Sequence, residues 1–178
     1  MIDDKLLIAC KEKHRHAQRM VYEYMAPKLY HTCKRYLKRQ EEIEEALADA
    51  FYNIFTKLDQ LKEHAAFEAW ARKIAVNQCL ATLRKQINFN VYLDDLKTEP
   101  DQFGIQASGL EEEDLLQLLH YLPPGCCTIF NLYAIEGYNH KEIAEKLSIS
   151  EGTSKSQLSF AKSKLKALVN QLYFQKAK

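Results

Sequence analysis

In the stretch from Tyr138 to Leu168, YNHKEIAEKLSISEGTSKSQLSFAKSKLKAL, two helix-start signals stand close together with one short turn between them. Asn139 followed by Glu142 has the spacing of a capping box, in which each side chain takes an amide hydrogen of the other residue. Ser150 is placed to cap a second helix, with Glu151 favourable near its positive end. Ile143, Ala144 and Leu147 mark the inner face of the first helix. Leu158, Ala161, Leu165 and Leu168 recur at spacings of three and four on the second, and Ile149 falls in the turn. The opposite face carries Gly152, Lys155, Ser156, Ser159 and Ser163, which are small, polar or basic. The segment reads as a helix-turn-helix with one helix free to approach a groove.

A generic helical hairpin shares this periodicity, and charge separates the two readings. From Glu151 to the end there are six lysines against one acid, although the whole chain is only +1. A basic face on a nearly neutral protein is the footprint of phosphate binding.

Five glycines and four prolines in 178 residues are too few for a loop-rich or all-β fold, so an all-α fold is expected. The opening MIDDKLLIACKEKHRH holds an apolar run only from Leu6 to Cys10, flanked by charges, which is neither a signal peptide nor a span. A soluble, cytoplasmic protein is expected. Its five cysteines, Cys10, Cys33, Cys79, Cys126 and Cys127, show no CxxC spacing and read as reduced thiols. Cys10, His14, His31 and Cys33 have zinc-binding chemistry but not the spacing of a known site type, so neither metal nor cofactor is expected. No phosphate loop, nucleophile elbow or paired-histidine motif is present, and no enzymatic activity or small-molecule substrate is expected.

Charge divides the chain further. Residues 1–40 hold ten basic and four acidic side chains, 41–64 two and seven, 65–90 four and one, and 91–120 one and eight. The last of these contains Pro100, Gly104 and Gly109 and loses helical periodicity, which marks a flexible acidic linker between two small helical domains. Over 41–58, Ile43, Leu47, Ala50, Phe51, Ile54, Phe55 and Leu58 form an apolar face, with Glu41, Glu45 and Asp49 on another. That acidic face is either solvated or a docking surface for a basic partner. Over 67–86, Phe67, Trp70, Ala71 and Ile74 point to a core, while Lys73, Asn77 and Arg84 fall within about 40° on a helical wheel. They make a polar stripe suited to a nucleic-acid strand, and the preceding loop, about 59–66, brings Lys62 and His64 to its end. Trp70 serves either as core or as an aid to strand separation.

The order of these blocks resembles the extracytoplasmic-function group of RNA polymerase sigma factors, which keep only the sigma-70 regions two and four. Region two is matched by YEYMAPKLYHTCKRYL, EEIEEALADAFYNIF and FEAWARKIAVNQCLATLRK, and region four by LPPGCCTIFNLYAIEGYNHKEIAEKLSISEGTSKSQLSFAKSKL. The resemblance implies a region-two domain over 1–90, a linker over 91–113 and a region-four domain over 114–178. Core RNA polymerase would be met through Glu41, Glu45, Ala48 and Asp49. The promoter −10 element would be met through Lys62, His64, Trp70, Lys73, Asn77, Arg84 and Lys85, and the −35 element through Thr153, Ser154, Lys155, Ser156, Ser159 and Phe160. The resemblance also implies a membrane-anchored anti-sigma factor as partner, and a path for the linker towards nascent RNA.

Several residues depart from the family pattern. Glu45 and Ala48 stand where an Asp-x-x-Gln pair is usual, Gln157 and Phe160 where arginine is frequent, and Ser148 where the turn glycine is usual. Phe160 either packs on a neighbouring helix or meets a thymine methyl. Two other readings stay open: a stand-alone helix-turn-helix regulator, and an interaction module that no longer binds DNA. The first lacks the alternating strand and helix pattern of a receiver domain over 1–90. The loss of arginines at 157 and 160 supports the second.

Overall fold

The computed structural model describes residues 2–89 and 112–176, with side chains described over 2–89 and 116–171. The chain divides into two compact units, Met1–Lys85 and Gln86–Lys178. All regular structure among the described residues is helical. The acidic linker expected over 91–113 lies, as far as residue 111, outside them.

The first unit contains α1 (Asp4–Lys11), α2 (Arg15–Lys34), α3 (Gln40–Thr56) and α4 (Phe67–Gln86), with short 3-10 turns at Leu58–Gln60 and His64–Ala66. Asp3 caps α1 by accepting the Leu6 amide at 2.8 Å. On α2, Ala17, Val21, Met25, Leu29 and Cys33 recur every fourth residue and are all buried. Pro27 lies inside the same helix on its exposed side, where water can satisfy the carbonyl left by the missing N–H. Ile43, Ala46, Ala50, Phe51 and Ile54 are the buried face of α3, and Phe67, Ala71, Ala75, Val76, Cys79, Leu80 and Leu83 that of α4. Leu47, Phe55, Trp70 and Ile74, expected in the core, are half-buried at its edge. Each leucine fully withdrawn from water contributes about 1.5–3 kcal/mol.

One polar cluster ties α2 to the first turn of α4. Glu68 accepts from Lys28 Nζ and from the Tyr24 hydroxyl, both at 2.8 Å, and Lys28 lies 3.9 Å from the centre of the Tyr24 ring. The Lys28 hydrogen bond, then that from Tyr24, holds the Glu68 carboxyl below its ordinary value, and the Glu68 bond raises Lys28.

The second unit contains α5 (Glu112–His120), α6 (Pro124–Phe130), a single π-turn at Asn131–Ile135, α7 (His140–Leu147) and α8 (Glu151–Lys176). Pro124 opens α6, where a missing N–H costs nothing. Gly137, at φ +78, turns the chain into α7 in a conformation that side chains disfavour. The capping box is formed: Asn139 Oδ1 accepts the Glu142 amide at 3.0 Å, and Glu142 Oε2 accepts the Asn139 amide at 2.8 Å. Helix α8 packs on both α6 and α7, burying Leu158, Ala161 and Leu168. Between α7 and α8, Ser148 adopts the left-handed region at φ 56, ψ 46, and its amide donates to the Ala144 carbonyl.

Two measurements follow from these geometries. Ser148 is exposed, so Ser148→Gly removes left-handed strain without losing packing and raises stability by about 1 kcal/mol, whereas Ser148→Val lowers it by more; urea unfolding of the three proteins reads both. Glu68→Gln lowers stability by only about 0.2–1 kcal/mol near neutral pH, because the Glu68 side chain is 48% exposed and its ion pair is screened. Since the folded carboxyl titrates below its unfolded value, that difference persists above the ordinary carboxylate range. It disappears as pH falls through the folded value. Urea midpoints across pH and salt test this, and a difference unchanged in acid contradicts it.

Candidate nucleic-acid interface

The Ser150 hydroxyl accepts the Thr153 amide at 2.9 Å and also lies 2.9 Å from the Thr153 hydroxyl, so α8 starts where the sequence places it. Both ends of the turn are therefore held by local hydrogen bonds. The exposed positions of α8 include Gly152, Lys155, Ser159, Lys162 and Lys166, spaced by three and four on one face. Lys155 lies 3.6 Å from Glu151, and Lys162 lies 5.2 Å from the centre of the Tyr133 ring. Lys162 and Lys166 continue the expected surface beyond Ser159. In the sequence they enter only the count of six lysines from Glu151 to the end, without a place on the exposed face.

Other α8 residues turn inward. Ser154, expected on the DNA-facing side, is fully buried, with its hydroxyl 2.9 Å from His140 Nδ1; it holds α8 to α7 and cannot meet a base edge. Gln157 is 2% exposed, and its amide donates to the Phe89 carbonyl at 2.8 Å. Gly125 on α6 makes room for it, since an added Cβ would stand 3.0 Å from Gln157 Oε1. Phe160 is half-buried and packs against the Leu119, Leu122, Cys126, Cys127 and Ala161 cluster, which is the first of the two arrangements left open for it. Thr153 and Ser156 are half-buried, and Ser156 donates to the Thr153 carbonyl at 3.1 Å. An added Cβ at Gly152 would meet nothing closer than Ser150 Oγ at 3.5 Å, so packing does not exclude an alanine there.

In the first unit, Lys73, Asn77, Arg84 and Lys85 are all exposed on α4. Trp70 is half-buried, its ring 6.2 Å from that of Phe67. Lys62 is exposed in the preceding loop, but His64 turns its Nδ1 to Asp4 Oδ1 of α1 at 3.2 Å. The imidazole therefore ties the loop to α1, and only Lys62 of the two loop residues remains extended to solvent. On α3, Glu41, Glu45, Ala48 and Asp49 are exposed together on the side opposite Ile43, Ala46 and Ala50, and Tyr52 extends that face at 70% exposure. The acidic and basic faces thus lie on separate helices. Among the described residues, no helix is long and apolar enough to cross a membrane, and no cluster of three or more His, Cys, Asp or Glu residues could hold a metal ion.

Comparison with known proteins matches the Sigma-70 region 2 family over residues 21–87 and the Sigma-70, region 4 family over 112–165, together more than half of the chain. The ECF RNA polymerase sigma factor SigM of Mycobacterium tuberculosis is 23% identical over 171 residues, covering 96% of this chain and 86% of its own. SigM of Bacillus subtilis is 25% identical over 153 residues, covering 84% and 93%. Among solved structures, the sigma factor RpoE in complex with the anti-sigma factor NepR from Bartonella quintana has a TM-score of 0.53 at 19% identity, covering 85% of this chain and 96% of that one. CnrH in complex with the cytosolic domain of CnrY has a TM-score of 0.51 at 18%, covering 93% and 96%. These two likenesses describe the fold. With both family regions present in this order and with these relatives, the chain belongs to the sigma-70 family of RNA polymerase sigma factors, in its extracytoplasmic-function group.

Proposed function

We propose that residues 1–90 dock on core RNA polymerase and open the promoter at the −10 element, while residues 114–178 read the −35 element, with 91–113 as the connection. The separation of an exposed acidic face on α3 from an exposed basic stripe on α4 is the observation that carries this reading. Glu41, Glu45, Ala48 and Asp49 meet the polymerase. Lys62, Lys73, Asn77, Arg84 and Lys85 meet the strand, with Trp70 beside it. On α8, Gly152 lets the helix approach the groove closely, Lys155 and Ser159 lie nearest the base edges, and Lys162 and Lys166 neutralise phosphates. The protein works as a non-catalytic subunit in the cytoplasm. Because both solved neighbours are bound to another protein, an anti-sigma factor is proposed as a further partner, with membrane anchoring carried by the family resemblance.

Run-off transcription with core polymerase tests the whole reading: initiation from a cognate promoter requires both proteins, and the chain alone binds that promoter poorly in physiological salt. Tight, specific binding without polymerase would instead favour a stand-alone regulator. Reversing the acidic face with Glu41→Lys, Glu45→Lys and Asp49→Lys weakens co-purification with core polymerase at least tenfold, while circular dichroism stays unchanged because all three side chains are exposed. Replacing Lys73, Asn77 and Arg84 together by alanine keeps polymerase binding and abolishes strand opening. Permanganate footprinting reports unpaired thymines, and full reactivity in that variant would sink the α4 assignment.

A further inference from the structure

Ser154, His140, Tyr133 and Lys162 form one connected set of contacts across α8, α7 and the π-turn. The Ser154 hydroxyl, wholly buried, lies 2.9 Å from Nδ1 of His140, the first residue of α7. The His140 ring stacks on that of Tyr133, with centroids 4.8 Å apart and planes 27° apart. Lys162 lies about two turns beyond Ser154 on α8, and its Nζ stands 5.2 Å over the centre of the same Tyr133 ring. Asn131 and Leu132 of the π-turn are fully buried, whereas Tyr133 beside them is 37% exposed. Its ring thus belongs to no core, yet it is fixed from within by an imidazole that is itself tied to α8.

The cations on the exposed face of α8 differ in their partners. Lys155 lies 3.6 Å from the Glu151 carboxylate, which offsets its charge. The ring beneath Lys162 is uncharged. A lysine over an aromatic face keeps its full charge and its N–H donors on the side away from the ring, so a phosphate can join without breaking the ring contact. A free lysine stem loses the freedom of several bonds when it binds, and a stem already resting on a ring loses less.

We propose that Tyr133 is a positioning residue for the −35 contact: its ring, set by His140 and Ser154, holds Lys162 on the exposed face of α8 in readiness for a phosphate of the DNA backbone. The phosphate rests on the −35 role of α8 proposed above; the contacts among the four residues do not.

The full chain is tested first alone and then with core polymerase. In the free protein the Tyr133 ring shifts the NMR signals of the Lys162 Cε protons upfield; Tyr133→Leu removes that shift and Tyr133→Phe keeps it. With polymerase, the holoenzyme binds duplex promoter DNA that the wild type has selected from random sequence, and affinity is followed across salt concentrations. Each phosphate contact contributes about 0.9 to the slope of log affinity against log salt concentration. Lys162→Gln should lower the slope by that amount and Tyr133→Leu by about half of it or more, with no further loss when the two are combined. Tyr133→Phe should keep the wild-type slope. Both side chains are exposed, so neither replacement opens the core, and a domain that was only destabilised would not change this slope. No upfield shift in the wild type, a wild-type slope in Tyr133→Leu, or a further loss in the double variant overturns the positioning role. An equal loss in Tyr133→Phe also overturns it, because the hydroxyl and not the ring would then be needed. If the wild-type holoenzyme selects no promoter, the −35 role of α8 falls and the positioning role with it; selection with an unchanged slope in Tyr133→Leu removes the positioning role alone.

Discussion

The outward surface of α8 depends on one backbone conformation, the left-handed turn at Ser148. A right-handed residue there would continue α7, and the apolar stripe of Leu158, Ala161 and Leu168 could not reach its partners. The capping box before α7 and the Ser150 cap before α8 hold the helices on either side, leaving few other paths for the chain. Only then do Gly152, Lys155, Ser159 and Lys162 share one exposed face. The family's usual glycine would adopt this turn more easily. In this chain the packing of α8 on α6 and α7 keeps a serine in place despite its cost.

Electrostatics works here by segregation. Net charge is +1, yet α3 carries acids on its exposed face and α4 carries bases on its own. At physiological ionic strength charges act over about 8 Å, so a partner touching one helix face feels that face more than the total. Glu68, the one acid in α4, is engaged with Lys28 and Tyr24 in the first turn, away from Lys73 and Arg84 further along the helix. It therefore contributes to holding α2 against α4 while the rest of that helix remains basic.

Much of this was legible in the sequence because it rests on short-range rules. The caps at Asn139 and Ser150, the inner stripes of α3, α7 and α8, and the exposure of Glu41, Glu45, Asp49, Lys73 and Arg84 all follow from spacing and residue type. Ser154, Gln157 and Phe160 were harder to place because α8 has packing partners on more than one side, whereas a helical wheel marks only one apolar direction. Gln157 is held by a carbonyl 68 positions earlier in the chain, and His64 by an aspartate in α1. No local pattern encodes either contact. Polar side chains at such flank positions look solvent-facing until their distant partners are known.

All five thiols are buried and none is in a disulfide. Burial raises Cys10, and Cys126 to about 11, while the contact between Cys33 and Cys79, with burial added, raises Cys79; the hydrogen bond from Cys79 lowers Cys33. An enclosed sulfur is out of reach of an alkylating reagent, so reaction requires the surrounding helices to part. Cys10, Cys33 and Cys79 belong to one unit, and Cys126 and Cys127 to the other. Each unit thus carries its own internal clock, and the rate at which its thiols become modified measures how often that unit opens, independently of the other and without any added label.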